Sequence, residues 1–494
     1  MIQSYKKQNL IVLLVLVFKL IIIFSFPLSG DEAYFVKWGE SLSAGYYDHP
    51  PMVGWLIYFM SYLNDSYQFF RLFSFFTIII VAFVIFKILE LYIDKEKAFL
   101  VALIFLVSPI NILISLFTND VPLVLFGSLG TLFLLYSYEK PQVILYSLLA
   151  GIFLGFAFLS KYFAAFLMLG LLIFSFITYK KKAIKNVLIV STVVILFILQ
   201  NLYFNYNSCW NNILFNFFAR TKESTFHISG ILSYLSIIIY IITPWGFYYL
   251  YKSKDNIKNS TLIKLISSIL LFIFTIFLIV SFKNKVGFHW FFLFVPYMFL
   301  LFSFIEIKSL KKLFKYNAIF TAIHIFILLA LILFPKSYFE NHKRYSDVIL
   351  FTQPDKICES IQNYDEESLF TLGYSTGAIL SYHCKKDIKM MFNVAKYGRL
   401  DDKLLDIRTL DKKDIKIFDK RDISIHVPQL NNLCQEVSLE KVVIENANFY
   451  LAQCKGFQYD EYKKIYLDKQ KERFYTIPAW LPVGECYFND RYYK

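Results

Sequence analysis

Long apolar runs alternate with short polar segments along the first two thirds of the 494-residue chain. Many of these runs approach the roughly 20 residues that an α-helix needs to cross a bilayer. From this pattern we predict eleven membrane spans, at about 9–28, 68–91, 98–117, 121–138, 142–159, 162–179, 187–205, 231–250, 262–282, 288–305 and 317–334. The pattern changes near Pro335, so we expect a transmembrane domain over residues 1–335 and a soluble domain over 336–494.

The predicted soluble domain has an α/β pattern. Its short apolar and β-branched runs alternate with polar helical stretches. These runs predict strands at Ser368–Leu372, Ile415–Phe418, Ile423–Val427 and Phe449–Gln453. The domain shows no nucleotide-binding loop, no Ser/His/Asp arrangement and no metal-ligand spacing, so we expect it to support the site or recognise an acceptor.

Charge follows the predicted spans. The chain is 57% hydrophobic with a formal net charge of +14, and its lysines concentrate in alternate loops. This is the positive-inside pattern of membrane proteins, so the charge does not indicate nucleic-acid binding. With a cytoplasmic N-terminus, an odd number of spans places the C-terminal domain outside.

The cysteines agree with this topology. All six fall in segments predicted to face outward, where disulfides persist. We predict the pairs Cys358–Cys384 and Cys434–Cys454, although spacing alone does not determine connectivity. The first apolar run lacks a small-residue cleavage site, so we interpret it as an uncleaved span.

Two acids follow the first predicted span. Asp31 and Glu32 end it on the outer face, residues 33–44 can form a short interfacial helix, and the turn Gly45–Pro51 (GYYDHPP) comes next. A carboxylate in a partly desolvated cleft can accept a hydroxyl proton during group transfer. The alternative is a solvated loop acid. Lys19, within the span, is either a structural or snorkelling cation or a group that tunes Asp31.

Other outward loops also carry charge. Asp120 opens the fourth span, where it is either a second site carboxylate or an ordinary helix cap. Lys161, Arg220, Lys285 and His289 lie in outward loops, against the positive-inside bias. An anionic head group at the outer interface would explain them, with Arg binding phosphate in a bidentate manner. The alternatives are ordinary loop charge and pairing with Asp31, Asp48 or Asp120.

The first outer loop resembles that of a known class. Asp31-Glu32-Ala33-Tyr34 and the GYYDHPP turn are similar to the loop of ArnT-like and protein O-mannosyltransferase-like membrane glycosyltransferases of the GT-C class. Further matches, all within about residues 1–300, are Arg71-Leu72, Asp120, Gly155, Leu159-Ser160-Lys161-Tyr162, Arg220 and Lys285 with His289-Trp290. Aminoarabinose transferases of lipid A carry a phosphate-contacting Lys where this chain has His49, which weakens the case for that sugar.

The resemblance implies a function. Such enzymes transfer a sugar from a polyprenyl-phosphate carrier, usually with inversion, to a lipid-linked or protein acceptor, including lipopolysaccharide. In this reading Asp31 is the general base, and Glu32 and Asp120 orient the base or the acceptor. The carrier phosphate is held by His49, Lys161, Arg220, Lys285 and His289 in varying combinations.

Two other classes of protein remain open. A flippase for lipid-linked glycans would share the spans and outward cations but would need no carboxylate base. A non-catalytic scaffold displaying the outer domain would need neither Asp31 nor Asp120. No cofactor is indicated, and metal dependence is left open because one or two carboxylates leave little sequence trace of a divalent ion. The sugar and the acceptor are not readable from the sequence.

Overall fold

The computed structural model describes residues 5–219, 228–257 and 260–494. The backbone packs as two compact units. Unit 1 comprises Met1–Phe26, Asn64–Asn201 and Glu223–Leu333, and unit 2 comprises Pro27–Leu63, Leu202–Lys222 and Phe334–Lys494. The first outer loop therefore packs with the C-terminal part of the chain. The division into domains 1–335 and 336–494, which was expected from composition, concerns membrane topology and function. The compact units do not test it, so it stays a prediction.

Unit 1 is built from helices. They run Lys6–Ser25, Tyr67–Glu90, Lys95–Leu106, Ile110–Leu113, Asp120–Glu139, Val143–Ser160, Ala164–Tyr179, Ala183–Tyr206 (whose last residues belong to unit 2), Ile228–Ile242, Pro244–Lys252, Thr261–Ser281, Val295–Leu300 and Ile307–Leu333. Their outward faces expose many Leu, Ile and Phe side chains, whereas their inner faces are closely packed. Such an arrangement suits a bundle surrounded by lipid.

Seven helical stretches among the described residues are long and apolar enough to cross a membrane, or eight if the bent pair Ile228–Ile242 and Pro244–Lys252 is one span. This polytopic helical architecture confirms the predicted fold class. The count is lower than eleven because Ala164–Tyr206 counts as one stretch, although its backbone breaks at Lys180, where φ is 51°. In addition, predicted spans 98–117 and 288–305 contain only shorter helices.

Arg71 shows how unit 1 satisfies buried polar groups. Its side chain is fully buried in the helix Tyr67–Glu90. The guanidinium donates hydrogen bonds to the carbonyl oxygens of Ile23, at 3.0 Å, and Phe26, at 2.7 Å. The last carbonyls of a helix lack intrahelical partners, so Arg71 caps the end of Lys6–Ser25.

Unit 2 combines short helices with one sheet. Its helices include Gly30–Glu40, Met52–Ser61, Asn211–Leu214, Tyr345–Thr352, Pro354–Ile361, Tyr374–Cys384, Asp401–Leu404, Val427–Leu430, Tyr459–Tyr462, Asp468–Gln470 and Tyr487–Tyr492. The strands are β1 Leu369–Thr371, β2 Lys389–Met390, β3 Ile415–Asp419, β4 Glu436–Ile444 and β5 Ala447–Lys455. Their order is β2-β1-β3-β5-β4, with β2-β1-β3 parallel and β3-β5-β4 antiparallel.

The sheet confirms the α/β prediction and corrects its details. Three of the four predicted strands are present, but Ile423–Val427 forms a 3-10 turn leading into a short helix. β2 and β4 were not predicted. β2 has only two residues, and β4 lies at the edge of the sheet with most of its side chains exposed, so neither shows a clear apolar pattern.

Three disulfides stabilise unit 2. Cys358–Cys384 and Cys434–Cys454 confirm the two predicted pairs. Cys209–Cys486 joins residues separated by 277 positions and was not predicted. The core of unit 2 includes Tyr47 and Phe215 from the two loop segments together with the sheet. These loop segments are therefore packed into the core of unit 2.

Candidate active site

The helix Gly30–Glu40, hereafter the acid helix, carries Asp31 and Glu32 in its first turn. Ser29 caps it: its hydroxyl accepts a hydrogen bond from the Glu32 amide at 3.3 Å, and the Glu32 carboxylate accepts one from the Ser29 amide at 3.2 Å. This capping box satisfies amides that a helix start leaves unpaired. The predicted helix at 33–44 was therefore placed too late, because the Ser-x-x-Glu signal was overlooked.

Asp31 is exposed, and its side chain accepts one hydrogen bond from the residues that the structure describes. The Tyr374 hydroxyl donates to its Oδ1 atom at 2.8 Å. Burial and the neighbouring Asp31 carboxylate raise the pKa of Tyr374, so this hydroxyl stays protonated and remains a donor at neutral pH. None of the described residues hydrogen bonds to Oδ2 of Asp31. One carboxylate oxygen is thus positioned, while the other can accept a proton.

Glu32 is in a different environment from Asp31. Its side chain is buried, and its Oε2 atom accepts hydrogen bonds from both the amide and the hydroxyl of Ser29. Because that oxygen is already used in the cap, the structure gives Glu32 a role in fixing the start of the acid helix. The two adjacent acids therefore differ in both burial and hydrogen bonding.

The turn Gly45–Pro51 is tied to the acid helix by aromatic side chains. Trp38 is completely buried and stacks on Tyr46, with ring centroids 4.4 Å apart. The Tyr46 hydroxyl donates to the Trp38 carbonyl oxygen at 2.6 Å. His49 is half-buried, with its ring 6.3 Å from that of Trp38. The histidine is thus held on a turn packed against the helix that carries Asp31.

A buried lysine connects the acid helix to the C-terminal part of unit 2. Lys37 binds Asp401 at 2.9 Å and Asp387 at 3.1 Å. Burial alone lowers the pKa of Lys37, but the two carboxylates more than offset this and raise it. Asp401 also accepts a hydrogen bond from the Met390 amide at 2.8 Å, next to the sheet. These contacts fix the orientation of the acid helix.

Unit 1 contains a second pair of candidate residues. Asp120 begins the helix Asp120–Glu139, and Lys161 follows the helix Val143–Ser160. Their side chains are both buried and form a salt bridge of 2.8 Å. The alternative that outward cations pair with loop acids is therefore confirmed for Lys161. Asp120 was one of three candidate partners, and with 41 positions between the two residues the sequence did not single it out.

The other predicted residues lie on other segments of the chain. Lys285 and His289 are exposed in the segment before Val295–Leu300 of unit 1, and Arg220 lies outside the described residues. Lys19 is buried in unit 1 and donates to the carbonyl oxygen of Asn111 at 2.6 Å, which favours its structural interpretation.

Sequence reasoning missed Tyr374 and Lys37. No motif marks Tyr374, because its partner lies 343 positions away. Lys37 could have been noticed as a cation within an otherwise apolar helical face. In the part of the chain that the structure describes, no three His, Cys, Asp or Glu side chains gather in a way that could hold a metal ion.

The fold is similar to that of a protein of known structure. ArnT from Cupriavidus metallidurans bound to undecaprenyl phosphate superposes with a TM-score of 0.65 at 13% identity, covering 91% of this chain and 98% of that one. Its apo form gives a TM-score of 0.64 at 14% identity, with the same coverage. The chain therefore shares the fold of ArnT. This confirms the resemblance inferred from the first outer loop.

Sequence comparisons give two partial matches. Residues 48–204 match the family model for dolichyl-phosphate-mannose-protein mannosyltransferase. The lipid A galacturonosyltransferase RgtD of Rhizobium johnstonii is 27% identical over 178 residues. That match covers 35% of this chain and 38% of the relative, so it spans little more than a third of the relative's length.

Proposed function

We propose that this protein is an integral-membrane glycosyltransferase that moves a sugar from a polyprenyl-phosphate carrier to a lipid-linked or protein acceptor. The reaction would occur on the outer face of a bacterial inner membrane. The observation that carries the proposal is Asp31, an exposed carboxylate with one oxygen held by Tyr374 and the other without a hydrogen bond from any described residue. The ArnT-like fold and the galacturonosyltransferase relative support the reaction class and a lipid A-type acceptor.

The proposed reaction is a single displacement with inversion. The acceptor hydroxyl oxygen attacks the anomeric carbon as Asp31 takes its proton. The bond between that carbon and the carrier phosphate oxygen breaks, and the polyprenyl phosphate leaves with the electron pair. Glu32 fixes the helix start beneath Asp31, and Asp120 orients the acceptor or the base in this proposal.

The carrier phosphate needs cationic partners at the interface. We assign this task to His49, Lys161, Arg220, Lys285 and His289 in varying combinations. The 2.8 Å salt bridge gives Lys161 a restrained position beside Asp120. An ammonium group held in this way can neutralise phosphate charge as it develops on the leaving group.

Replacing the base provides the test. Asp31→Asn keeps the shape and can still accept the Tyr374 hydrogen bond, but it loses the basic carboxylate. We expect transfer to fall about 10²–10⁴-fold, the usual contribution of a general base. The assay uses protein purified in detergent, undecaprenyl-phosphate-linked sugars, lipid A as acceptor and mass spectrometry of the product.

The matched control is Asp460→Asn, at an exposed carboxylate elsewhere in unit 2, which should retain full activity. Wild-type turnover by Asp31→Asn would refute the assignment of the base. Product formation in detergent also separates a transferase from a flippase, since no transport is possible there. A folded wild-type protein that forms no product with any donor would instead favour the flippase or the scaffold.

A further inference from the structure

Unit 2 contains a cavity that the proposed chemistry does not use. Its volume is about 240 Å³, slightly below the roughly 300 Å³ at which small-molecule pockets begin. Its walls come from residues 41–47, the segment after the helix Ala183–Tyr206, the helix Asp401–Leu404 and Tyr487. Asp31, Glu32 and His49 are not among the lining residues.

Two residues of the cavity wall carry polar atoms that have no hydrogen-bond partner among the described residues. Tyr47 and Asn211 line the cavity and are both at least nine-tenths buried. Neither the Tyr47 hydroxyl nor the Asn211 Oδ1 atom finds a hydrogen-bond partner among the described residues. Because an unsatisfied buried polar group is costly, most such groups are paired in folded proteins. Two such groups in one wall show that this part of unit 2 is not fully satisfied by hydrogen bonds among the described residues.

The walls are held in place by covalent and backbone constraints. The disulfide Cys209–Cys486 directly follows the lining residue Ser208 and directly precedes Tyr487. Cys209 and the next residue, Trp210, have φ values of 56° and 52°, a region that L-residues seldom occupy. Strained backbone of this kind persists where the surrounding structure requires it, often at binding sites. The cavity is therefore preformed.

The lining also indicates the charge of the ligand. Lys403 is the cation of the cavity, and no carboxylate is among the lining residues. Partial burial lowers the pKa of Lys403, and no described carboxylate counters this effect. A negatively charged ligand would favour the protonated form of the lysine, whereas a cationic ligand would be repelled.

The remaining walls suit a sugar ring. Tyr46, Tyr47 and Tyr487 provide aromatic surface with hydroxyl groups, and Ser43 and Ser208 add further polar atoms. Such a mixture can pack against the apolar faces of a ring while bonding its hydroxyls. We propose that this cavity binds an anionic sugar group, and that it is the site for the acceptor's head group. The second part rests on the proposed glycosyl transfer, whereas the first does not.

Binding is tested separately from catalysis. Isothermal titration calorimetry is performed on the full-length Asp31→Asn protein in detergent with glucose 1-phosphate, glucose and inorganic phosphate. A parallel arm uses lipid A in mixed micelles, so that a lipid-linked sugar is distinguished from a free one. We expect glucose 1-phosphate or lipid A to bind at least tenfold more tightly than glucose or phosphate. Binding of lipid A alone would identify the source as lipid-linked.

Two variants assign the binding to this cavity. Lys403→Met should weaken binding about 10–100-fold, as expected for a hydrogen bond to a charged group. Tyr47→Phe, which removes only an unpartnered hydroxyl, should weaken it about fivefold without reducing the melting temperature. Lys441→Met, at an exposed lysine on β4, is the control and should bind normally. Unchanged binding in both cavity variants would overturn the proposal.

The other outcomes are equally decisive. If inorganic phosphate binds as tightly as glucose 1-phosphate, the proposed sugar site is overturned. The same holds if neither glucose 1-phosphate nor lipid A binds. In the active protein, Lys403→Met should raise the acceptor KM at least tenfold and change kcat little. Normal transfer by a variant that has lost binding would overturn the acceptor role only. Loss of transfer in Asp31→Asn with normal binding supports both proposals.

Discussion

Tyr374 connects the candidate base to a distant part of the chain. Its hydroxyl donates to Asp31 at 2.8 Å, although 343 residues separate the two. We predict that Tyr374→Phe lowers kcat about tenfold with little change in the KM values, because a hydrogen bond to a charged group contributes about 1.5–3 kcal/mol. Steady-state kinetics with the undecaprenyl-phosphate donor and lipid A would measure both parameters.

The neighbouring Tyr397 provides a control for this prediction. Its ring lies 6.5 Å from that of Tyr374, but it does not hydrogen bond to Asp31. Tyr397→Phe should therefore keep wild-type kcat. If Tyr374→Phe also retained wild-type kcat, Tyr374 would only pack against the acid helix and would not position the base.

Lys161 can pair with the Asp120 carboxylate, bind the carrier phosphate, or do both. Lys161→Met leaves Asp120 as a buried unpaired charge, which we expect to cost about 3–5 kcal/mol of stability. The double variant Asp120→Asn/Lys161→Met should recover most of that stability. If Lys161 also contacts phosphate, the double variant will still show a raised donor KM. Thermal unfolding in detergent and donor kinetics separate the two roles, and a fully active double variant would limit Lys161 to the salt bridge.

At the scale of elements, the sequence predicted that a helix follows the first span but placed the start of this acid helix too late. The charged pair after an apolar run drew attention to residues 31–32, and Ser29 with Glu32 contained the information needed for the start. The partners Asp401 and Asp387 could not be inferred, since tertiary folding alone brings them to Lys37. Similarly, edge strand β4 lacks the buried alternation by which strands are recognised.

The Lys37 network predicts how the acid helix responds to substitution. Lys37→Met removes the partner of buried Asp401, and we expect it to cost about 3–5 kcal/mol of stability at pH 7. Lys389→Met is the control: it removes only a half-exposed contact with Asp387 and should cost less than about 1 kcal/mol. Chemical denaturation of the purified variants would compare the two.

The same network predicts a pH dependence. Burial acts to raise the pKa of Asp387, but Lys37 and Lys389 outweigh it and lower the pKa. A lowered carboxyl pKa stabilises the fold above the unfolded value of about 3.9, and this contribution disappears as the pH falls through the folded value. The difference in stability between wild type and Lys37→Met should therefore shrink below about pH 4. A constant difference down to pH 2 would contradict the assignment.

For the whole molecule, the sequence predicted the architecture better than its internal contacts. Apolar run length and the change in composition near Pro335 were sufficient for a polytopic helical protein with an α/β region, since both depend on local sequence. The packing of residues 27–63 and 202–222 with the C-terminal part was not foreseen, nor was Cys209–Cys486. These are contacts between distant segments, and local patterns do not encode them.

Membrane topology is the prediction that concerns the whole chain. Lysine-rich loops on one side and six cysteines on the other predict a cytoplasmic N-terminus and a periplasmic C-terminal domain. Alkaline phosphatase fused after residue 494 should be active, and the same reporter fused near Lys182 should be inactive, because that enzyme requires the periplasm. The three disulfides should also be absent when the chain is made in cells lacking periplasmic thiol oxidation. The reverse reporter pattern would place the acid helix on the cytoplasmic face and contradict use of an outer-leaflet donor.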